Sequence, residues 1–307
     1  MKTLGLVSRL SVFGFGLTLI ACLINPLVAV AHQSCPGHHN HNLHLNTVDL
    51  NTGVTLQYAE RGHGKGNVVV FLHGYTDSWF SFSSVIENLP GRFHAYAITQ
   101  RGHGDSDKPE VASEYEIDRF VNDFIAFLDH FRIRRVSLVG HSMGSIIAQR
   151  IAMDHPDRIK KLVLIGATAD PSTNPELIGL KQYVDTLEDP IDPDFIYNFQ
   201  ASTVYNPLEE EFLNRVVMES QKVPAFVWKA ALTGLVNADY VAELPSITAP
   251  TLIVWGDKDG LFLMDDQITL EAGISDSTLL VYENAGHGLH WEDPIRFAYD
   301  LAAFLFR

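Results

Sequence analysis

Cysteine is nearly absent from this chain: Cys22 and Cys35 are the two thiols among 307 residues. Two cysteines cannot make a disulfide framework, and Cys22 lies in a segment expected to be lost on maturation. Basic residues are scarce as well, 22 against 37 acidic ones, for a formal charge of −15. That balance argues against nucleic acid or an anionic membrane surface as a partner, since both select a positive protein face. No metal constellation, phosphate loop or dinucleotide fingerprint occurs; Gly102-His103-Gly104 precedes a loop, not a helix. Neither a metal nor a cofactor is therefore expected, and the partner is a small-molecule substrate. The length suits one large α/β domain with an elaboration.

At the N-terminus, Lys2 and Arg9 precede an apolar run from Leu10 to Val30 that ends in Ala29-Val30-Ala31, an A-x-A site. This predicts a signal peptide over 1–31, cleaved after Ala31, with export to periplasm or medium. Membrane contact is expected only through that segment. The run is also long enough to span a bilayer if uncleaved, and Leu19-Ile20-Ala21-Cys22 resembles a lipobox. Pro26 and the cleavage-like end speak for the signal peptide, and the apolar stretch after Cys22 speaks against a lipid anchor. Loss of Lys2 and Arg9 leaves 20 basic against 37 acidic residues, a charge of −17. Residues 32–46 then form a His-rich linker in which His32, His38, His39, His41 and His44 lie near Cys35. A flexible polar tether is the reading adopted; a transition-metal site is the alternative.

The rest of the chain is organised around Arg135-Val136-Ser137-Leu138-Val139-Gly140-His141-Ser142-Met143-Gly144-Ser145. A short apolar run ends in a G-x-S-x-G turn and passes into a helical pattern, the strand–turn–helix context that this motif requires. Glycines flank a serine held in strained backbone, where bulkier neighbours would collide with adjacent chain. Elsewhere, Val54, Leu56 and Tyr58 alternate as in an edge hairpin, followed by a turn at Gly62, Gly64 and Gly66. Val68 to Leu72 reads as a strand buried on both faces, and Phe93 to Thr99 as the next. Ser113 and Glu116 fit a capping box ahead of a helix carrying Ile117, Phe120, Val121, Phe124, Ile125 and Leu128 at 3.6-residue spacing. Strands follow at Lys161 to Ile165, Pro250 to Trp255 and Thr278 to Tyr282. A last helix from Pro294 carries Ile295, Tyr299, Ala302 and Leu305 on one stripe.

With this alternation of strands and helices, and with the elbow around Ser142, the chain after about His44 resembles the α/β-hydrolase family. The resemblance implies an α/β class fold, a doubly wound, mostly parallel sheet, with a helical cap inserted after strand 6. The core is then 47–168 and 243–307 and the cap 169–242, where prolines at 171, 175, 190, 193 and 207 break the βα rhythm. The order Ser…Asp…His expected for the fold is met by Ser142, Asp259 and His287 as catalytic residues. Two acids compete with Asp259. Asp257 lies two residues away, and Asp170 occupies the position that some relatives use. His290 competes with His287, which the family pattern selects because it follows Ala-Gly; His290 is expected to pack beside Trp291.

The resemblance also makes the Tyr75 N–H, after His73-Gly74, and the Met143 N–H the oxyanion hole, at roughly 3 to 4 kcal/mol of barrier each. His73 is read as a structural hydrogen-bonder at the strand end, and the Arg101-Gly102-His103-Gly104 loop as scaffold. Phe195, Phe199, Phe226 and Trp228 of the cap are the candidates to line a substrate pocket. Dehalogenases and epoxide hydrolases of this fold place aspartate at the elbow, where this chain has Ser142. Epoxide hydrolases also usually carry proline where Thr76 stands. The expectation is an exported serine hydrolase, carboxylesterase-like, for an apolar substrate of small to medium size. A carbon–carbon bond or lactone hydrolase with the same triad, and a ligand receptor that retains it, are the alternatives.

Overall fold

The structure is a computed structural model that describes residues 43–64 and 67–306. The expected signal peptide with Cys22 and Ala31, most of the His-rich linker with Cys35, and Gly66 lie outside the described residues.

Among these residues eight strands form one sheet: β1 (His44–Asp49), β2 (Thr55–Arg61), β3 (Asn67–Leu72), β4 (Phe93–Ile98), β5 (Val136–His141), β6 (Ile159–Ile165), β7 (Thr251–Gly256) and β8 (Ser277–Tyr282). Their order is β1-β2-β4-β3-β5-β6-β7-β8. The hairpin β1–β2 is antiparallel, as is its junction with β4, and every other pairing is parallel. The first strand starts at His44, so residues 44–46, expected in the linker, belong to the hairpin. Backbone pairing of His44 with Glu60 and Leu45 with Ala59 places them there; their side chains are exposed, and the single apolar one, Leu45, makes no alternating pattern in the sequence.

From β3 the chain moves to β4 on one side and then crosses back over β3 to β5 on the other. Strand order reverses at this point, where the carboxyl ends of neighbouring strands diverge and leave a crevice for a ligand. The side chains of β3 alternate between two cores. Val70 and Leu72 join Leu138, Phe120, Phe124 and Ile147 on one face, while Val69 and Phe71 join Val139, Val163, Phe297 and Leu301 on the other. A strand covered on both faces has to be apolar throughout, which is why Val68 to Leu72 reads as a continuous run.

Ten helices accompany the described sheet: α1 (Ser83–Asn88), α2 (Ile117–His130), α3 (Met143–Asp154), α4 (Pro175–Val184), α5 (Pro193–Ala201), α6 (Glu210–Ser220), α7 (Ala225–Val236), α8 (Met264–Gly273), α9 (Leu289–Glu292) and α10 (Pro294–Phe306). None is long and apolar enough to cross a membrane. Four of them, α4 to α7, occupy the interval between β6 and β7. Pro175 and Pro193 open α4 and α5, their missing N–H costing nothing in a first turn. Asn174 and Asp192 cap the same helices through the N–H groups of Leu177 and Asp194.

Two helix expectations are corrected. Ser113 and Glu116 form no capping box: Ala112–Tyr115 winds into a 3-10 turn and α2 starts one turn later, with no side-chain cap. In α10 the packed stripe is Phe297, Ala298, Leu301, Ala302 and Leu305, while Ile295 and Tyr299 are 66% and 75% exposed. Both stripes satisfy a 3.6-residue period. The docked one presents Phe297 and Leu301 to α1 and the sheet, burying more apolar surface.

The loop after β4 is tied down by an ion pair. Arg101 is buried and donates from Nε and Nη2 to the two oxygens of Asp123 on α2, at 2.6 and 2.7 Å, and from Nη1 to Glu114 at 2.7 Å. Removing one partner of a buried pair strands the other charge, which costs far more than the intact pair contributes. Asp123→Ala is therefore expected to destabilise the fold by about 3 kcal/mol, read as a lower denaturation midpoint. An unchanged midpoint would show the loop to be held by other contacts.

Candidate active site

Ser142 stands between the last residue of β5 and the first of α3, with φ 52° and ψ −119°. Such backbone is sparsely populated for a side-chain-bearing residue and survives only where its surroundings impose it. Here they do. The Ser142 N–H donates to Ile165 O at 3.0 Å, and the Ser145 hydroxyl donates to Ser142 O at 2.6 Å. A Cβ on Gly140 would lie 2.3 Å from Gly144 O, and one on Gly144 would lie 2.2 Å from Leu72 O. The two glycines let strand, turn and helix approach this closely. Met143 opens α3, so its N–H is among those with no acceptor inside the helix.

The other candidates sit at neighbouring strand ends: Asp259 beyond β7, His287 beyond β8 and Tyr75 beyond β3. His287 Nδ1 and Asp259 Oδ2 are 2.8 Å apart and both side chains are buried. The other oxygen of Asp259 accepts from the N–H groups of Leu261 and Phe262 at 2.8 and 3.1 Å. The carboxylate is thus fixed at both oxygens, and the imidazole it holds is directed by it. Neither rival acid does this. Asp257 accepts from Asn284 N–H and pairs with Lys258, and Asp170 caps a 3-10 turn through Ser172. The Ser142 hydroxyl has no hydrogen-bond partner among the described residues; it and the His287 ring line the same cavity of about 330 Å³.

The remaining histidines of the region are buried and neutral. His73 donates from Nδ1 to Gly74 O at 2.8 Å and accepts the Gln100 N–H at Nε2. Its role is to join the ends of β3 and β4, and burial holds its pKa well below the ordinary value. His103 donates to Arg101 O and meets the His73 ring edge-on at 5.1 Å; burial lowers it to about 4. His290 stacks on Phe82 at 4.8 Å and reaches Ser81 Oγ at 3.3 Å, with burial lowering it to about 3.

The cavity wall differs from the aromatic one expected. Phe199 lines it, but Phe195, Phe226 and Trp228 do not. Trp228 is fully buried and donates to Val223 O, Phe195 packs on Tyr183 and Trp228, and Phe226 packs on Tyr115. These rings join the inserted helices to one another and to the core. The apolar wall is mostly aliphatic instead, with Leu177, Leu180, Leu235 and Leu261, and Trp291 at one side. Besides Ser142 and His287, its polar part comprises Asp77, His141, Glu176, Gln200, Ser202 and Thr203. Sequence reasoning missed Asp77 and Gln200; the only signal was that Asp77 lies three residues beyond Gly74.

The inserted segment is fastened beside His287. Glu292 accepts Gly286 N–H (2.8 Å), Tyr205 N–H (2.9 Å), Asn206 N–H (3.1 Å) and Asn206 Nδ2–H (2.6 Å). The Gly288 N–H donates to Thr203 O at 2.8 Å. A further tie is the Tyr75 hydroxyl, which donates to Trp228 O at 2.6 Å.

A family model described as alpha/beta hydrolase fold matches residues 67–294. Among curated proteins, the 2-hydroxy-6-oxononadienedioate/2-hydroxy-6-oxononatrienedioate hydrolase of Klebsiella pneumoniae is 30% identical over 275 residues, 86% of this chain and 95% of that one. A 2-hydroxy-6-oxononadienedioate/2-hydroxy-6-oxononatrienedioate hydrolase 2 of Pseudomonas putida is 29% identical over 248 residues, 77% of this chain and 86% of that one. Among solved structures, an esterase from Exiguobacterium antarcticum superposes with a TM-score of 0.77 at 23% identity, covering 85% of this chain and 99% of its own, which is a likeness of fold.

Glu292→Ala would leave four donors without their acceptor. The expected result is a loss of about 2 kcal/mol of stability together with faster hydrogen exchange at the amides of Gly286, Tyr205 and Asn206. Exchange there as slow as in the parent protein would mean that Glu292 is not the fastening.

Proposed function

The chain belongs to the alpha/beta hydrolase fold family, and from that premise we propose that it is a serine hydrolase that cleaves an ester-like acyl bond through an acyl-enzyme on Ser142. The observation that carries this reading is the buried His287 Nδ1–Asp259 Oδ2 contact of 2.8 Å, opening on the cavity that Ser142 lines. With Nδ1 bonded to the carboxylate, His287 has Nε2 free to accept the serine proton. Asp259 then stabilises the imidazolium as it forms. The attacked carbonyl oxygen, becoming an oxyanion, is received by the Tyr75 and Met143 N–H groups, which are preorganised where the charge develops. His287 returns the proton to the leaving alcohol. It next activates water, which releases the acid from Ser142. The aliphatic wall of Leu177, Leu180, Leu235 and Leu261 suits an apolar substituent of small to medium size.

Hydrolysis of a carbon–carbon bond by the same three residues is the second reading. It is favoured by the 30% and 29% identity to hydrolases named for oxo-dienedioate substrates. Epoxide opening is disfavoured because its intermediate is an alkyl ester on an elbow carboxylate, and this elbow carries Ser142. Export after cleavage at Ala31 is part of the proposal and rests on the sequence of residues 1–31.

Three measurements test this. Turnover of p-nitrophenyl esters from acetate to octanoate is expected in the parent protein and lost in Ser142→Ala by a factor of roughly 10⁶ in kcat. Equal rates in that variant would contradict the reading. Asp259→Asn, which keeps the shape and presents the wrong hydrogen-bonding partner to Nδ1, is expected to lower kcat about 10⁴-fold; a loss below tenfold would remove Asp259 from its role. Protein recovered from the cell envelope or medium is expected to begin at His32, and a mature chain that retains Met1 or begins at Cys22 would refute the assigned cleavage.

A further inference from the structure

The turn that carries Tyr75 is held in a conformation its own sequence disfavours. Gly74 O accepts the Asp77 N–H at 3.3 Å, which closes a turn with Tyr75 and Thr76 at its centre. Thr76 has φ 64°. Where the third position of a turn takes positive φ, glycine or asparagine ordinarily fills it, because other side chains are crowded there by the backbone. Threonine, branched at Cβ, fits this region poorly and stays in it only under constraint from its surroundings. The turn itself supplies one long backbone hydrogen bond, so the constraint comes from outside it.

The inserted helices supply it. Thr76 is fully buried, and Gln200 of α5, buried as well, reaches it. Gln200 Nε2 is 2.7 Å from Ser220 Oγ of α6, 3.2 Å from Thr76 Oγ1 and 3.2 Å from Asp77 Oδ1. A side-chain amide nitrogen carries two hydrogens; one serves Ser220 and the other is shared between Thr76 and Asp77. The Ser220 hydroxyl spends its own proton on Val216 O at 3.2 Å, which leaves its oxygen to accept from Gln200. The amide is thus anchored to α6 while it holds the turn. Ser81 adds a longer bond to Asp77 Oδ2 at 3.4 Å. The Tyr75 ring is fixed separately, edge-on to Phe199 and Trp228 at 5.9 and 5.3 Å.

We infer that Gln200 is a positioning residue for the oxyanion: from the insertion it keeps the Gly74–Asp77 turn in its strained form, and through that turn it fixes where the Tyr75 N–H stands. The inference rests on the serine hydrolase reading, in which that N–H receives the developing charge, and adds to it a residue that acts through another. Released from Gln200, Thr76 relaxes toward negative φ, and so short a turn changes its course when either central residue moves. A donor displaced by about an ångström loses much of its hold on the oxyanion, since hydrogen bonds weaken steeply with distance and angle. The loss falls on the transition state and spares ground-state binding, because the oxygen carries its full charge only there.

The test uses Gln200→Leu, which keeps the bulk of the side chain and removes the donor, with p-nitrophenyl butanoate as substrate. Its kcat is expected to fall about 10- to 100-fold, with KM within about threefold of the parent value. Inhibition by hexyl trifluoromethyl ketone, whose adduct with Ser142 carries an oxyanion, should weaken by the same factor as kcat/KM. The substitution is then repeated in a Thr76→Gly background, where glycine adopts positive φ without a Cβ to crowd. There Gln200→Leu is expected to cost less than about threefold in kcat. Equal losses in the two backgrounds, an unchanged kcat, a change confined to KM, or an inhibition constant that stays put would each overturn the inference. Should Gln200→Leu fail to fold, as judged by thermal melting, Gln200→Met, unbranched and without the donor, takes its place in both backgrounds. Absence of Ser142-dependent turnover by the parent protein would instead overturn the hydrolase reading, and the inference with it.

Discussion

The site depends on one piece of backbone. Ser142 is held at φ 52° because β5, β3 and α3 meet around it more closely than any Cβ at Gly140 or Gly144 would permit. Strain of this kind persists only when the surrounding fold enforces it, and a sheet buried on both faces does so. The elbow places Ser142 at the cavity, beside the first amides of α3, which have no acceptor inside the helix. Every other part of the site is placed relative to that turn. His287 lies beyond β8, Asp259 holds its ring from beyond β7, and Tyr75 follows β3; Ser142, Tyr75 and His287 line one cavity.

The inserted helices enclose this arrangement through side chains that double as site components. Tyr75 lines the cavity and gives its hydroxyl to Trp228 O of α7. Glu292 joins Tyr205 and Asn206 of the insertion to Gly286, the neighbour of His287. Gln200 covers Asp77. A displacement of the helices would therefore disturb Tyr75, Asp77 and the Gly286 neighbour of His287 together. The cavity they leave is lined by Leu177, Leu180, Leu235 and Leu261 together with polar residues that include Asp77, His141 and Gln200.

The sheet was legible in the sequence because a doubly covered strand must be apolar throughout, and the elbow because its glycines and serine follow from steric demands of the turn. Asp259 and His287 were legible through spacing in the family pattern. Other features depend on tertiary packing that local patterns do not encode. The stripe of α10 could not be chosen, since Ile295 and Tyr299 fit the helical period as well as Phe297 and Leu301 do. The aromatic residues of the insertion could not be sorted, because burial against a neighbouring helix and exposure to a cavity demand the same residue types; Phe199 alone of the four lines the cavity. Asp77 was silent in the sequence, because a carboxylate in a loop resembles a solvated one until Gln200, distant in the chain, folds over it.

The central claim is that the Ser142 hydroxyl is the nucleophile, activated by His287. Its most direct measurement is mass spectrometry of the protein after treatment with a fluorophosphonate. The account predicts one phosphonyl adduct, on the peptide that carries Ser142, absent from Ser142→Ala and formed far more slowly in His287→Ala. No adduct on the folded protein, an adduct on another residue, or labelling of Ser142 at an unchanged rate without His287 would contradict it.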